Sequence, residues 1–336
     1  MTMNIQQALN HITKNIHLSQ PQMEDVMRSI MQGEATDAQI GALMMGLRMK
    51  GESIDEITAA ARIMREFAIK IDVSDIPHLV DIVGTGGDGQ NLFNVSTASS
   101  FVIAAAGATI AKHGNRGVSS KSGSSDVLEQ MGIQLDLDMQ QTERCIREIG
   151  VGFLFAPNHH KAMRYAVAPR RELGIRSIFN LLGPLSNPAQ PTYQFTGVYH
   201  PDILPLYNYV LSKNTKNHNI VHAVDVFDEV SLTCPFYLVG KMHNELIHPQ
   251  DLNLPQVALS KISGGNDLQT SGEILVNILQ GKGTKEQNNV VAVNAGIAIH
   301  TATNLSLNQS IQEALEIIQS GKAYQNLQNL IRCNQQ

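Results

Sequence analysis

From Leu79 onward the chain alternates short apolar runs with stretches of helical length, and this alternation constrains its fold most. "LVDIV", "ATIA", "VGFLFA", "FTGVYH" and "NIVHAV" read as strands. "STASSFVIAAAGA", "DVLEQMG" and "MQQTERCIREIG" read as helices between or beside them. A helix between successive strands brings the chain back to the same end of a sheet, so the pattern predicts a mostly parallel central sheet covered by helices. The signal is weakest over 240–290, where "SKISGGNDLQ" and "QGKGTKEQNN" read as surface loops.

The first part of the chain has a different texture. Ser19 with Gln22, Thr36 with Gln39, and Ser53 with Glu56 have capping-box spacing, and Gly33 and Gly51 stand where the intervening helices should stop. Ile40, Leu43, Met44 and Leu47 recur at helical spacing and read as core or subunit-interface packing. A small helical domain precedes the α/β region. No apolar run reaches the ~18 residues that span a membrane. The amino-terminal stretch lacks the basic-then-apolar pattern of a signal peptide. Cys145, Cys234 and Cys333 are scattered without metal-ligand spacing and read as free thiols of a reducing cytoplasm, the expected location.

"GTGGDG" (84–89) satisfies the dinucleotide fingerprint G-x-G-x-x-G after a strand. A dinucleotide fold also needs the glycines to open a helix directly and an acid ~20 residues later for the ribose. Here the loop runs on through "QNLFNVST", and Lys112 and His113 stand where the acid would fall. No Gly-Lys-Ser/Thr follows, so a Walker-A loop is excluded too. What remains is a phosphate cradle of another design. Gly84, Gly86 and Gly87 allow close backbone approach, and Asn94, Ser96 and Thr97 start a helix whose N–H groups and dipole favour an anion. Asp88 suits that setting only if it meets backbone N–H groups, a ligand hydroxyl or a cation.

A second loop, "AKHGNRGVSSKSGSSD", also follows a strand and precedes a helix. It carries Lys112, Arg116 and Lys121 with no acid among them, in a chain whose net charge is -5. That contrast argues for a small, highly charged anion and against a nucleic-acid surface. Two such loops point to one ligand held between strand ends. In "DVFDE", Asp225, Asp228 and Glu229 read either as a solvated turn or, beside a polyphosphate, as oxygen ligands for Mg²⁺.

Taken in order, "GTGGDG", "NVST", "KHGNR", "SSKSGSSDVLE" and "RRELGIRSIFNLLGPLSNP" resemble the signatures of the anthranilate phosphoribosyltransferase family, with "VVAVNAGIAIH" returning near the end. The resemblance is dense from about residue 20 to 200. It implies a helical domain over 1–72, completed by a helix near 162–182, joined to a catalytic α/β domain over 73–336, in the nucleoside phosphorylase and phosphoribosyltransferase class. It implies transfer of phosphoribose from phosphoribosyl pyrophosphate to anthranilate, with Mg²⁺ and a homodimer formed through the helical part, and neither nucleic acid nor membrane as partner.

By position, the resemblance assigns phosphoribosyl pyrophosphate to Gly84, Gly87, Asp88, Leu92, Asn94, Val95, Ser96, Thr97, Lys112, His113, Gly114, Asn115, Arg116, Gly117, Val118, Ser119, Ser120 and Ser124. It assigns anthranilate to Gly84, Asn115, His160 and Arg170, with His113 lining the route, and the metal to Ser96, Asp228 and Glu229. Lys112 and His113 are the candidates for a catalytic part. Four positions depart from the family pattern. Leu92 replaces a Ser or Thr, Lys161 replaces a Pro, and Val226 replaces a Gly. Pro169 stands one residue late, which is expected to bias Ala168 toward extended geometry and to re-aim Arg170. The rival readings are a pyrimidine nucleoside phosphorylase, which would not need "RRELGIR", and a non-catalytic nucleic-acid-binding relative.

Overall fold

Thr36 and Ser53 each open a helix through the reciprocal bonds their spacing predicts, with Gln39 and Glu56 reaching back, and at Ser19 the Gln22 side chain accepts from the Ser19 N–H. The resulting helices are α1 (Ile5–Ile12), α2 (Gln20–Gln32), α3 (Asp37–Lys50) and α4 (Ile54–Phe67). Gly33 ends α2 at φ 78°, and a side chain there would also collide with Tyr165. The computed structural model describes residues 2–86, 92–116, 123–225, 227–265 and 267–335.

Next along the chain come β1 (Leu79–Gly84), α5 (Val95–Ala105), β2 (Thr109–Gly114), α6 (Ser124–Gln130), α7 (Met139–Ile149) and β3 (Val151–Phe155). Then follow α8 (Ala156–His159), α9 (Arg164–Leu173) and α10 (Ile178–Leu182). The remainder comprises β4 (Tyr193–Gly197), α11 (Leu204–Asn214), β5 (Asn217–Ala223), β6 (Phe236–Gly240), β7 (Asn244–Ile247), α12 (Leu268–Leu279), α13 (Lys285–Ala302), α14 (Leu307–Ser320) and α15 (Lys322–Asn334). Contacts divide the chain into a helical unit, Met1–Lys70 with Ala156–Pro188, and an α/β unit, Ile71–Phe155 with Ala189–Gln336.

In the helical unit α2 packs on α4, α1 and α9 pack on α3, and the buried Met23, Met27, Ile30, Ile40, Leu43, Met44 and Leu47 form the core. The segment 162–182 forms two helices rather than the single one expected, because Gly174 ends α9 in the left-handed region at φ 59°. Pro169 lies inside α9, so Ala168 is helical and not extended. Burial of Ala166 and Pro169, with α9 packed on α3, outweighs the preference of a pre-proline residue for extended backbone.

The α/β unit holds one sheet in the order β3-β2-β1-β4-β5-β6-β7. The five strands read from sequence are all parallel, in agreement with expectation; β6 and β7 add an antiparallel edge that the sequence reading missed. Alternate strand positions serve two apolar clusters. Val80, Ile110 and Val151 join the large one with α5 and α13, while Leu79, Ala111 and Leu154 join Ile146 of α7 in a small one. The segment "QGKGTKEQNN" is not a loop throughout, since Thr284 caps α13 with Gln287 and the helix starts at Lys285. In "SKISGGNDLQ", Ser263 bridges Leu92, and α12 begins at Leu268. Among the described residues no helix is long and apolar enough to cross a membrane.

Candidate active site

Strand order reverses between β1 and β4: the chain winds outward through β2 and β3 on one side and through β5 on the other. A sheet with such a switch point opens a crevice at the carboxyl ends of its strands. The residues gathered there are Gly84 ending β1 with Thr85 after it, Lys112 to Asn115 at the end of β2, Gly197 ending β4, and Asp228 with Glu229 beyond β5. Asp228 folds over β1 and β4, its carboxylate accepting from the Gly86 N–H at 2.6 Å. A Cβ on Gly84 would strike that carboxylate, and one on Gly197 would strike the Asp228 backbone. Glycine at both positions is therefore what lets the acid lie down on the sheet.

Glu229 reaches the start of α5, where its carboxylate accepts from the Ser96 N–H at 3.2 Å. It occupies the positive end of that helix, which Asn94 leaves uncapped by its side chain. From the other side the buried Lys112 ammonium donates to the Ile82 carbonyl at 2.6 Å and to Ser96 Oγ at 3.2 Å. Burial pushes the Lys112 pKa down, and Asp81, Glu229 and Asp228 oppose that shift. Asp81, fully buried on β1, also accepts from the His113 N–H at 3.3 Å.

Two polar atoms at the head of α5, Asn94 Nδ2 and Thr97 Oγ1, are buried with no hydrogen-bond partner among the described residues. An unsatisfied buried polar group costs about 1–3 kcal/mol. Two such atoms beside a helix N-terminus and a buried lysine make a cradle suited to an anion with several acceptor oxygens.

The other candidates are placed as follows. Val95 is the buried first residue of α5, and Leu92 packs partly against the core. Gly114 ends β2, and a Cβ there would lie 3.2 Å from Ser124 Oγ. Arg116 forks onto Glu129 of α6, with Nη2–Oε1 at 2.8 Å, reaches Asp126 at 3.2 Å, and stacks over Phe155 at 5.6 Å. Gly87, Asp88, Gly117, Val118, Ser119, Ser120 and Val226 lie outside the described residues. His160 and Arg170 belong to the helical unit. His160 is buried, and burial, with His159 adding to it, pushes its pKa down to about 4. Arg170 is half-buried, lies 5.6 Å from the Phe179 ring centre, and has no acid partner among the described residues.

One member of the acidic run does not join the others. Asp225 Oδ2 accepts from the Thr233 hydroxyl, so it belongs to its own turn, while Asp228 and Glu229 face β1 and α5. Three residues outside the sequence reading shape the site. Asp81 and Gly197 are two. The third is Asn294 of α13, which accepts from the Val230 N–H at 3.1 Å and donates to its carbonyl at 2.9 Å, pinning the residue after Glu229. An acid inside "LVDIV" and an asparagine inside "VVAVNAGIAIH" were the available signals, because a polar side chain in an apolar run needs a buried partner.

Known proteins share both units of this chain. Residues 6–68 match a family described as the helical bundle domain of a glycosyl transferase family, and residues 76–324 match its a/b domain. Anthranilate phosphoribosyltransferase of Acinetobacter baylyi is 62% identical over 337 residues, covering 97% of this chain and 95% of that protein. The crystal structure of anthranilate phosphoribosyltransferase from Thermus thermophilus superposes with a TM-score of 0.92 at 34% identity, covering 98% of this chain and 99% of that one. The enzyme from Saccharomyces cerevisiae in complex with PRPP and Mg superposes with a TM-score of 0.89 at 25% identity, covering 98% of each chain.

Proposed function

The chain belongs to the anthranilate phosphoribosyltransferase family, and from that premise we infer that it transfers the phosphoribosyl group of phosphoribosyl pyrophosphate to the amine of anthranilate. The reaction releases pyrophosphate and is one step of tryptophan biosynthesis. The observation that carries this reading in the structure is the set of donors at the head of α5. Asn94 Nδ2, Thr97 Oγ1 and the buried Lys112 ammonium converge on one helix N-terminus. A diphosphate would supply the acceptor oxygens that Asn94 Nδ2 and Thr97 Oγ1 lack among the described residues, and its negative charge would suit the Lys112 ammonium.

The amine of anthranilate is neutral near pH 7 and needs no deprotonation before attack. The demanding event is departure of pyrophosphate as positive charge grows on the sugar carbon. Lys112 and the α5 N–H groups would stabilise the negative charge that accumulates on the leaving group. Gly84 would let a substrate approach the protein backbone closely, while Asn115, Gly114 and Ser124 border the second loop. Arg170, a half-buried fork without an acid among the described residues, suits the anthranilate carboxylate. Neutral His160 would pack or hydrogen-bond beside it.

The donor set also fits Mg²⁺. Ser96 Oγ and the Asp228 and Glu229 carboxylates are hard oxygens, and Mg²⁺ is usually held by one or two carboxylates with substrate phosphates and water. Bound there, it would neutralise phosphate charge and lower the barrier to leaving-group departure. Two copies are proposed to pair through the helical unit, where Met45 and Met49 of α3 are 42% and 77% exposed. The decisive assay follows anthranilate fluorescence. It should fall only when phosphoribosyl pyrophosphate and Mg²⁺ are both present, and phosphorolysis of thymidine without anthranilate loss would overturn the assignment.

A further inference from the structure

His243, in the turn between β6 and β7, and His300, in the last turn of α13, face each other with Nε2 atoms 2.9 Å apart. Each ring is held from behind. His243 Nδ1 lies 2.7 Å from the Glu245 carboxylate, and His300 Nδ1 lies 2.7 Å from the Leu305 carbonyl. Neither a carbonyl nor an ionised carboxylate has a hydrogen to give, so both Nδ1 atoms must be the donors. A neutral imidazole protonated at Nδ1 presents a lone pair at Nε2. Two lone pairs therefore meet at hydrogen-bond distance, and either a proton held between the rings or a metal ion bound by both relieves the repulsion.

We propose that His243 and His300 form a surface site for a first-row divalent transition metal ion such as Zn²⁺, distinct from the Mg²⁺ ligands of the phosphate site. Imidazole suits Zn²⁺, whereas Mg²⁺ prefers carboxylate, carbonyl and water oxygens. Metal-bound histidines characteristically pass their second N–H to a carboxylate or carbonyl, as both rings do here. Two imidazoles on one tetrahedral ion, with nitrogens about 2.0–2.1 Å from it, keep their ring centres about 5 Å apart. The ring centres here are 5.1 Å apart, so the rings need only pivot, opening the nitrogens by a few tenths of an ångström. The carbonyl end of the 18-residue α13 and the Glu245 carboxylate both favour positive charge at this point. No third His, Cys, Asp or Glu converges on it among the described residues, so water completes the coordination and the ion exchanges readily. Bound metal would clip the β6–β7 hairpin to α13.

The test is calorimetric titration of Zn²⁺ into the full chain in Mg²⁺-free buffer, with the melting temperature followed in parallel. One binding event that raises the melting temperature is expected. His243→Ala and His300→Ala should each weaken it at least tenfold, and Glu245→Gln on the order of tenfold through the lost outer contact. Anthranilate turnover of His300→Ala should match the parent, showing that the fold persists, and saturating Mg²⁺ should not displace the Zn²⁺. Zn²⁺ uptake unchanged in both alanine variants would overturn the proposal and move the ion to the thiols. So would absence of uptake together with an imidazole ¹⁵N spectrum showing one proton shared between the rings.

Discussion

Arg170 and Arg116 were both assigned substrate contacts by resemblance, yet their surroundings differ. Arg170 is half-buried with an aromatic ring beside it and no acid among the described residues, whereas Arg116 already holds two carboxylates. Arg170→Ala should therefore raise the KM for anthranilate about 10- to 100-fold, the equivalent of a charge-assisted bond of about 1.5–3 kcal/mol. The KM for phosphoribosyl pyrophosphate should stay within a factor of two or so; equal loss for both substrates would mark Arg170 as structural. For Arg116 the expected role is a tie that fixes the second loop on α6. Arg116→Glu should weaken phosphoribosyl pyrophosphate use, and the exchange Arg116→Glu with Glu129→Arg should restore most of it. Failure of the exchange to restore it, with Glu129→Gln harmless, would make Arg116 a direct phosphate ligand. At this scale the sequence displayed residue types but not directions. Lys112, Ser96, Asp228 and Glu229 converge as their loop positions suggested. Asp225 turns away because its partner, Thr233, comes from a later turn that no spacing rule reveals.

Among the elements, those with local signals were legible and those stabilised only by burial were not. The capping signals of α2, α3 and α4 and the five parallel strands carry their information within a few residues. Helix α13 is apolar or buried on nearly every side, so it shows no polar face to define a helical period, and only its Thr284–Gln287 cap marks the start. The β6–β7 edge was missed because Tyr237 and Leu246 break the polar-outward alternation, with exposures of 39% and 43%. Yet α13 contributes the clamp behind the acidic turn. Asn294→Leu would leave the Val230 N–H and carbonyl without their partner, costing on the order of 1–3 kcal/mol each. The variant should need a several-fold higher Mg²⁺ concentration for half-maximal rate, because Asp228 and Glu229 lose the fixed residue beside them. Its KM for anthranilate should be unchanged. An unaltered Mg²⁺ requirement in a destabilised protein would show that the clamp serves stability alone.

Across the described residues burial lowers the pKa of two histidines in each unit, His159 and His160 in the helical unit and His218 and His222 in the α/β unit, and His160 and His218 shift furthest. Burial pushes His160 in the helical unit down to about 4, and it does the same to His218 in the α/β unit, where Lys241 adds to it. Both values lie below the ordinary histidine pKa of about 6.5, so the unfolded chain binds the extra protons first as pH falls. Stability from these groups is complete above about pH 6.5 and is lost as pH falls toward 4, by up to about 3 kcal/mol for each. Glu56, whose desolvation is outweighed by bonds from Leu18, Lys50 and Ser53 that lower its pKa, stays ionised through this window, whereas burial raises the Glu52 pKa toward it. Thermal unfolding at pH 7 and at pH 5 should therefore differ clearly in the parent. His160→Gln and His218→Gln should each narrow that difference even where they lower stability at pH 7. Hydrogen exchange read by segment should localise the effect, with His160→Gln reducing the acid sensitivity of Met1–Lys70 and Ala156–Pro188 and His218→Gln that of the α/β unit, the remainder resting with His159 and His222. A parent protein equally stable at both pH values would mean that these histidines are reached by water and protonate in the folded state.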